Sequence, residues 1–286
     1  MENTPIRHVS DTAVWVATFR ARETERPDAL FRDPLARRLV GDEGERVVNQ
    51  MEEAATVGWS VVVRTCLIDD YLKQAFAQGV DAVLNLGAGL DTRPYRMELP
   101  NDLLWIEVDY PAMIELKQER LKNETPRCRL ERVSLDLADS EARRRLFSDV
   151  QTRAKKVLIL TEGVLPYLSN ENVLELAKDL HSQSHFEYWI VDYWSKMFVE
   201  RMRKSKTFLK MRNAPFLFDP PVWKEFFEGA GWDVEQLRYT GNEARKLGRP
   251  APFPIWLKLL AMLMPAEKKK QIEQMSGYAL LRARRP

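Results

Sequence analysis

Apolar positions in the first 78 residues recur at helical spacing. Trp59, Val62, Val63, Cys66, Leu67, Tyr71 and Leu72 share one face, and Gly79 stands where a helix C-terminal cap belongs. The pattern predicts a long amphipathic helix. From residue 81 the period shortens: "DAVLNL" (81–86), "LLWIEVD" (103–109), "RLERVSLDL" (129–137), "KVLILTE" (156–162) and "FEYWIVDYW" (186–194) read as strands. Helices are expected between them at 116–121, 140–150 and 169–183, the last opened by Ser169 with Glu171 in its first turn. "DPPVWKEFFEGAGW" (219–232) predicts a further helix, and "DVEQLRYT" (233–240) and "SGYALLRAR" (276–284) two more strands. Strands alternating with helices imply parallel crossovers and a doubly wound α/β sheet of seven strands.

Composition narrows the function classes. The 286 residues hold 45% hydrophobic positions, enough for one large core. No Pro/Gly/Ser-rich linker divides the chain, so one domain is expected. Its parts are a helical cap (1–79), a core (80–194), a lid or substrate region (195–231) and C-terminal strands with a helical insertion (232–286). The 44 basic and 42 acidic residues nearly cancel, which argues against nucleic-acid binding. Cys66 and Cys128 are too few for a disulfide framework, and the N-terminus lacks a signal core, so a cytoplasmic protein is expected. "FPIWLKLLAMLMP" (253–265) is too short to span a bilayer and reads as a buried helix or one packed on a site entrance; weak membrane-surface contact beside Lys268–Lys270 is the other reading.

Ligands of doubly wound sheets sit at the carboxyl ends of the strands. Those ends carry Gly87-Ala88-Gly89, Asp109, Asp136-Leu137 and Glu162. Asp109 lies 20 residues beyond Gly89, the separation at which a second-strand carboxylate meets a ribose diol. Thr92 takes the place of the third glycine of a dinucleotide turn. Pro94 is expected to keep Arg93 out of a helix and deny a pyrophosphate its helix N-terminus. Nicotinamide chemistry is therefore the weaker reading, and S-adenosylmethionine, which has a ribose diol, an adenine amino group and no phosphate, suits the constellation. Asp109 is assigned to the diol, Asp136 and the Leu137 backbone to adenine, and Arg64 and Arg20 to the carboxylate. Gly87 and Gly89 are expected to clear space for the methionine end.

"VLNLGAGLDTRPYR", "EVDYP", "DL" and "LTEGVLPYL", with "DTAVWVATFRARET" and "FRDPLARRL" before them, resemble the leucine carboxyl methyltransferase family, and most of all its bacterial branch of S-adenosylmethionine-dependent methyltransferases. The resemblance covers most of residues 10–195 and fades beyond. It implies a class I, Rossmann-like methyltransferase fold in which helices before the sheet close over the cofactor. By motif it implies cofactor roles for Gly87, Asp109, Asp136, Leu137, Glu162 and Arg64, and less firmly for Arg20.

Methyl transfer from a sulfonium mainly requires alignment and exclusion of water, and a carboxylate acceptor needs no base. His8, His181 and His185 are the only histidines, which favours a carboxylate over a hydroxyl. His181 and His185 stand i, i+4 with no Glu between them and no third ligand in sight, so no metal is expected. Tyr167 is the candidate to orient an acceptor oxygen, with Arg93 and Tyr95 as further candidates. The segment 196–212 is rich in Met, Phe, Lys and Arg, either a solvated helix face or a lid over an anionic, partly apolar acid. The expected activity is O-methylation of a small-molecule carboxylate. The alternatives are carboxyl methylation of a protein C-terminus, a nicotinamide-dependent oxidoreductase and a non-catalytic cofactor-binding protein.

Overall fold

The central strands carry apolar residues on both sides of the sheet, so helices must cover both faces. A computed structural model describes residues 10–50, 53–205, 215–254, 256 and 263–285. The strands are β1 (Ala82–Leu86), β2 (Leu104–Asp109), β3 (Arg129–Ser134), β4 (Val157–Thr161), β5 (Phe186–Trp194), β6 (Trp232–Tyr239) and β7 (Ser276–Ala283). They form one sheet in the order β3-β2-β1-β4-β5-β7-β6. β1 to β5 pair in parallel and β7 runs antiparallel to both neighbours. The order reverses between β1 and β4, and a crevice opens there at the carboxyl ends. All seven predicted strands are present. β3 stops at Ser134, so Asp136 and Leu137 lie in the loop beyond it rather than in the strand.

One face of the sheet, with Leu84, Ile106 and Ile159, is covered by α6 (Ser140–Arg153), α7 (Asn170–His181) and α9 (Trp223–Gly229). α7 opens on Ser169, whose side chain accepts from Asn172 N–H. It buries Val173, Leu176, Ala177 and Leu180 at the 3–4 spacing of a core-facing helix. The other face, with Val83, Trp105 and Leu158, is covered by α3 (Ala54–Ala77), which contributes Leu67, Ile68, Tyr71 and Leu72. Gly79 follows α3 at φ +84°, a left-handed turn that glycine makes without strain.

α1 (Ser10–Thr24) packs on α2 (Pro34–Asn49) and on α3, and so roofs the carboxyl ends of the sheet. The helix after β2, α5 (Pro111–Leu121), begins earlier than the 116–121 predicted, because Pro111 occupies its first turn, where no N–H is required. The Asp-Pro-Pro stretch at 219–221 stays outside α9, which is one turn shorter at its start than the sequence suggests. α8 (Lys196–Arg203), α10 (Thr240–Lys246) and α11 (Ala266–Glu273) complete the described helices along with a one-turn α4 (Arg93–Arg96). The rest of the expected lid, 206–212, most of the apolar stretch 253–265, and His8 lie outside the described residues.

Candidate functional site

The crevice at the switch point is a cavity of about 510 Å³ roofed by α1 and α3. Its floor is the glycine turn. Gly87 and Ala88 N–H groups donate to Val108 O at 2.8 and 3.0 Å, tying the turn to β2. Gly87 has φ +70°, and a Cβ there would meet Val164 Cγ2 at 2.4 Å; at Gly89, φ +45°, it would meet Ala13 at 3.2 Å. The sequence reading had these glycines clearing room for a ligand, and the structure corrects it: the room is taken by Val164 and Ala13. Glycine is required here for its backbone angle and for close packing of protein on protein.

Behind the floor lies a buried charge cluster. Arg93 donates to Asp69 (2.7 Å), Asp91 (2.9 Å) and Glu162 (2.8 Å). Arg96 holds Asp69 from a second side at 2.7 Å. Arg64 approaches the other oxygen of Glu162 at 2.9 Å. Burial opposes charge on Glu162, and the two guanidiniums outweigh it, so its carboxyl sits below the usual range. The same balance, with three carboxylates against burial, raises Arg93 well above its ordinary value. Arg93 is 2% exposed and is no wall of the cavity, so the proposal that it touches substrate is corrected; it anchors Glu162 from behind. Tyr95 is likewise buried, its hydroxyl accepting from Arg132 at 2.6 Å, and is no wall of the cavity. Arg93 also opens α4 despite Pro94, because Pro94 itself fits a helix first turn. That helix is four residues long, too short to present a dipole to a pyrophosphate.

The remaining predicted cofactor residues line the cavity: Arg20, Arg64, Asp109, Asp136, Leu137 and Glu162. Asp109 ends β2, and its oxygens accept from Gly89 N–H at 2.7 Å and Tyr110 N–H at 2.8 Å. Burial pushes its carboxyl up, and the two N–H groups pull against that. Asp136 accepts from Ala138 N–H at 2.9 Å and is exposed at the rim. The Leu137 carbonyl accepts from Arg143, and its N–H has no partner among the described residues, which leaves a donor at the cavity wall. Arg20 is only partly available: its Nε pairs with buried Asp33 at 2.8 Å and its Nη2 donates to Leu90 O.

The opposite half of the cavity is apolar and aromatic. Tyr167, on a turn of 3-10 helix (Leu165–Tyr167), lies tilted against Phe216 at 5.3 Å, and Phe216 meets Trp194 edge-on at 4.6 Å. Burial pushes the Tyr167 phenol up to about 12, so near neutral pH it is a hydrogen-bond donor and no base. α8 turns Phe198 and Met202 to this wall, while Arg201, Arg203 and Lys204 are exposed. The described part of the 196–212 segment is thus both things the sequence allowed: an apolar wall inside and a solvated basic face outside. His181 and His185 do not share a helix, because α7 ends at His181; their rings bond Arg284 O at 2.9 Å and Ala154 O at 2.8 Å.

Two residues were not singled out from the sequence: Tyr278, which lines the cavity, and Asp192, which lines an adjoining groove. Asp192, in the C-terminal half of β5, is buried, accepts from Gly163 N–H at 3.0 Å, and is pushed up to about 6 by burial, against the pull of Arg64. Tyr278 on β7 is its register partner. The signal for Asp192 was present: "FEYWIVDYW" carries an acid near the end of a strand, as "LLWIEVD" and "KVLILTE" do.

A family model described as leucine carboxyl methyltransferase matches residues 13–181. The chain belongs to the leucine carboxyl methyltransferase family. The match covers the roof, the glycine turn and the strands through β4, and ends before β5 and α8. A Streptomyces avermitilis protein, named a candidate S-adenosyl-L-methionine-dependent methyltransferase, is 37% identical over 262 residues, covering 85% of this chain and 89% of its own. A Frankia alni protein with the same description is 33% identical over 266 residues, covering 85% and 90%. Among solved structures, a DUF574 family protein from Streptomyces avermitilis aligns with TM-score 0.54 at 14% identity, covering 94% of this chain and 97% of its own. A Thermobifida fusca protein, described as a candidate methyltransferase, aligns at 0.54 and 15%, covering 94% of both. These two structures share the fold, the class I, Rossmann-like methyltransferase sheet.

Proposed function

We propose that this protein is an S-adenosylmethionine-dependent O-methyltransferase that esterifies a carboxylate on a small, partly apolar acid. The observation that carries the reading is the cavity at the β1/β4 switch point with Asp109 at the end of β2, 20 residues after Gly89, and a free Leu137 N–H beside Asp136. These groups match a ribose diol, an adenine ring nitrogen and an amino group, and the four-residue α4 disfavours a dinucleotide. The family match and the names of the relatives point the same way.

When bound, S-adenosylmethionine supplies an electrophilic methyl on a sulfonium. Glu162, held ionised by Arg64 and Arg93, lines the cavity and would hold the ammonium of the methionine end. The aromatic wall excludes water and takes the apolar body of the acceptor. The acceptor carboxylate is already anionic, so no proton has to be removed. Tyr167, a protonated phenol, would orient the acceptor by donating to one carboxylate oxygen and leave the other free to take the methyl.

A labelled-methyl transfer screen against carboxylic and phenolic metabolites tests the reading. Radiolabel released from the product by mild base is the expected result; a base-stable ether would overturn the carboxylate assignment.

A further inference from the structure

Three polar side chains on neighbouring strands continue the core face that α3 covers. Leu158 and Leu160 of β4, Tyr188 and Ile190 of β5 and Leu280 of β7 belong to the cluster under α3, and side chains two residues apart on a strand share a face. Glu162, Asp192 and Tyr278 are the next positions of that parity. Strand register sets them in a row: Thr161 pairs with Val191, which brings Glu162, one step on, toward Asp192, and Asp192 pairs directly with Tyr278. Arg64 comes down onto this row from α3, its Nε 2.9 Å from Glu162 Oε1.

The Tyr278 phenol meets the side chains of both Arg64 and Asp192. One arrangement of hydrogens satisfies all three groups. A guanidinium has donors alone, so Arg64 donates to the phenol oxygen and the phenol donates to the Asp192 carboxylate. Burial raises the phenol well above its ordinary value, so it keeps that hydrogen. Asp192 is held in turn by Gly163 N–H at 3.0 Å. The Tyr278 ring is packed in the cluster under α3, and its carbonyl accepts from the Tyr71 hydroxyl at 3.0 Å, so the phenol has a fixed place. Held by Glu162 alone, the Arg64 plane could rock about one contact. A second, fixed acceptor sets it.

Arg64, Glu162 and Tyr278 all line the cavity, yet Tyr278 lies beyond residues 13–181, where the family model matches. We propose that Tyr278 is a positioning residue for the methionine end of the cofactor, acting from β7 by fixing the Arg64 guanidinium against Glu162. The proposal rests on the S-adenosylmethionine reading and adds to it a residue outside the matched part of the chain.

The test compares two ligands by calorimetry: S-adenosylhomocysteine, and 5′-methylthioadenosine, which keeps the adenosine and the sulfur and has no amino-acid end. Tyr278→Phe is expected to weaken S-adenosylhomocysteine about tenfold, as the loss of a hydrogen bond to a charged group implies, and to leave methylthioadenosine within about twofold. In an Arg64→Met background the same change should add nothing, because the residue it acts through is gone. Equal losses for both ligands, or no loss for either, overturn the proposal, as does a full additional loss in the Arg64→Met background. A Tyr278→Phe protein that binds neither ligand is misfolded; Asp192→Asn, which keeps the side chain's size and removes the charge to which the phenol donates, then decides by the same criterion, with a selective loss of about threefold expected and an equal or absent loss overturning the proposal. If the unmodified protein binds neither ligand, the S-adenosylmethionine reading itself falls and takes this inference with it, whereas equal losses overturn the role of Tyr278 alone.

Discussion

On the cofactor side of the cavity the charged groups are held by one another, whereas the acceptor side is walled by aromatic and apolar side chains. Arg93 alone joins Asp69, Asp91 and Glu162. Across the cavity the wall is formed by Trp15, Tyr167, Trp194, Phe198, Met202 and Phe216. The difference teaches how the work is divided. A cofactor of fixed chemistry is met by a preorganised network whose charges are already compensated, so little reorganises when it arrives. An acceptor is met by shape and by apolar contact.

Breaking the network should cost most. Arg93→Met leaves three buried carboxylates without their shared cation, and a loss of about 3–5 kcal/mol in urea unfolding is expected. A loss under 1 kcal/mol would show the cluster to be loosely held. Next, Asp109→Ala removes the group at the ribose position, and calorimetry should find S-adenosylhomocysteine affinity reduced at least tenfold, about 1.4 kcal/mol. An unchanged affinity in a folded variant would move the cofactor elsewhere.

Tyr167→Phe touches only the acceptor side. Turnover should fall several-fold while cofactor affinity holds; equal losses in both would place Tyr167 in the cofactor half. The smallest effect is on pH dependence. Asp192 is raised to about 6 in the fold from an ordinary 3.8, so the folded state holds the proton more tightly than the unfolded. Its stabilisation is fully present below 3.8 and is lost as pH rises through about 6, with Arg64, Glu162 and Tyr278 as the charged and titratable groups acting on it. Asp192→Asn should therefore gain stability relative to the parent protein as pH rises through that window. A pH-independent difference in chemical denaturation would contradict the raised carboxyl.

Sheet and site were unequally legible in the chain. The strands could be read because each is a short apolar run closed by a polar residue or glycine, and the strand-end rule then located Gly87, Asp109 and Glu162. Arg93 and Tyr95 were misjudged because sequence shows that they follow the glycine turn but not which way a four-residue helix aims them. The space beside Gly87 and Gly89 was misread for a related reason: its occupants, Val164 and Ala13, come from the other side of the switch point and from α1, contacts that local spacing cannot report. Asp192 was within reach of the same rule. It was passed over because "FEYWIVDYW" continues past it in aromatic residues, so the acid does not stand at the visible end of the run.

The central claim is that the switch-point cavity holds S-adenosylmethionine and not a dinucleotide. Calorimetric titration of the unmodified protein with S-adenosylmethionine and, separately, with NADH tests it most directly. Saturable single-site binding of S-adenosylmethionine with none of NADH is the result the account predicts; tight NADH binding with no response to S-adenosylmethionine would contradict it.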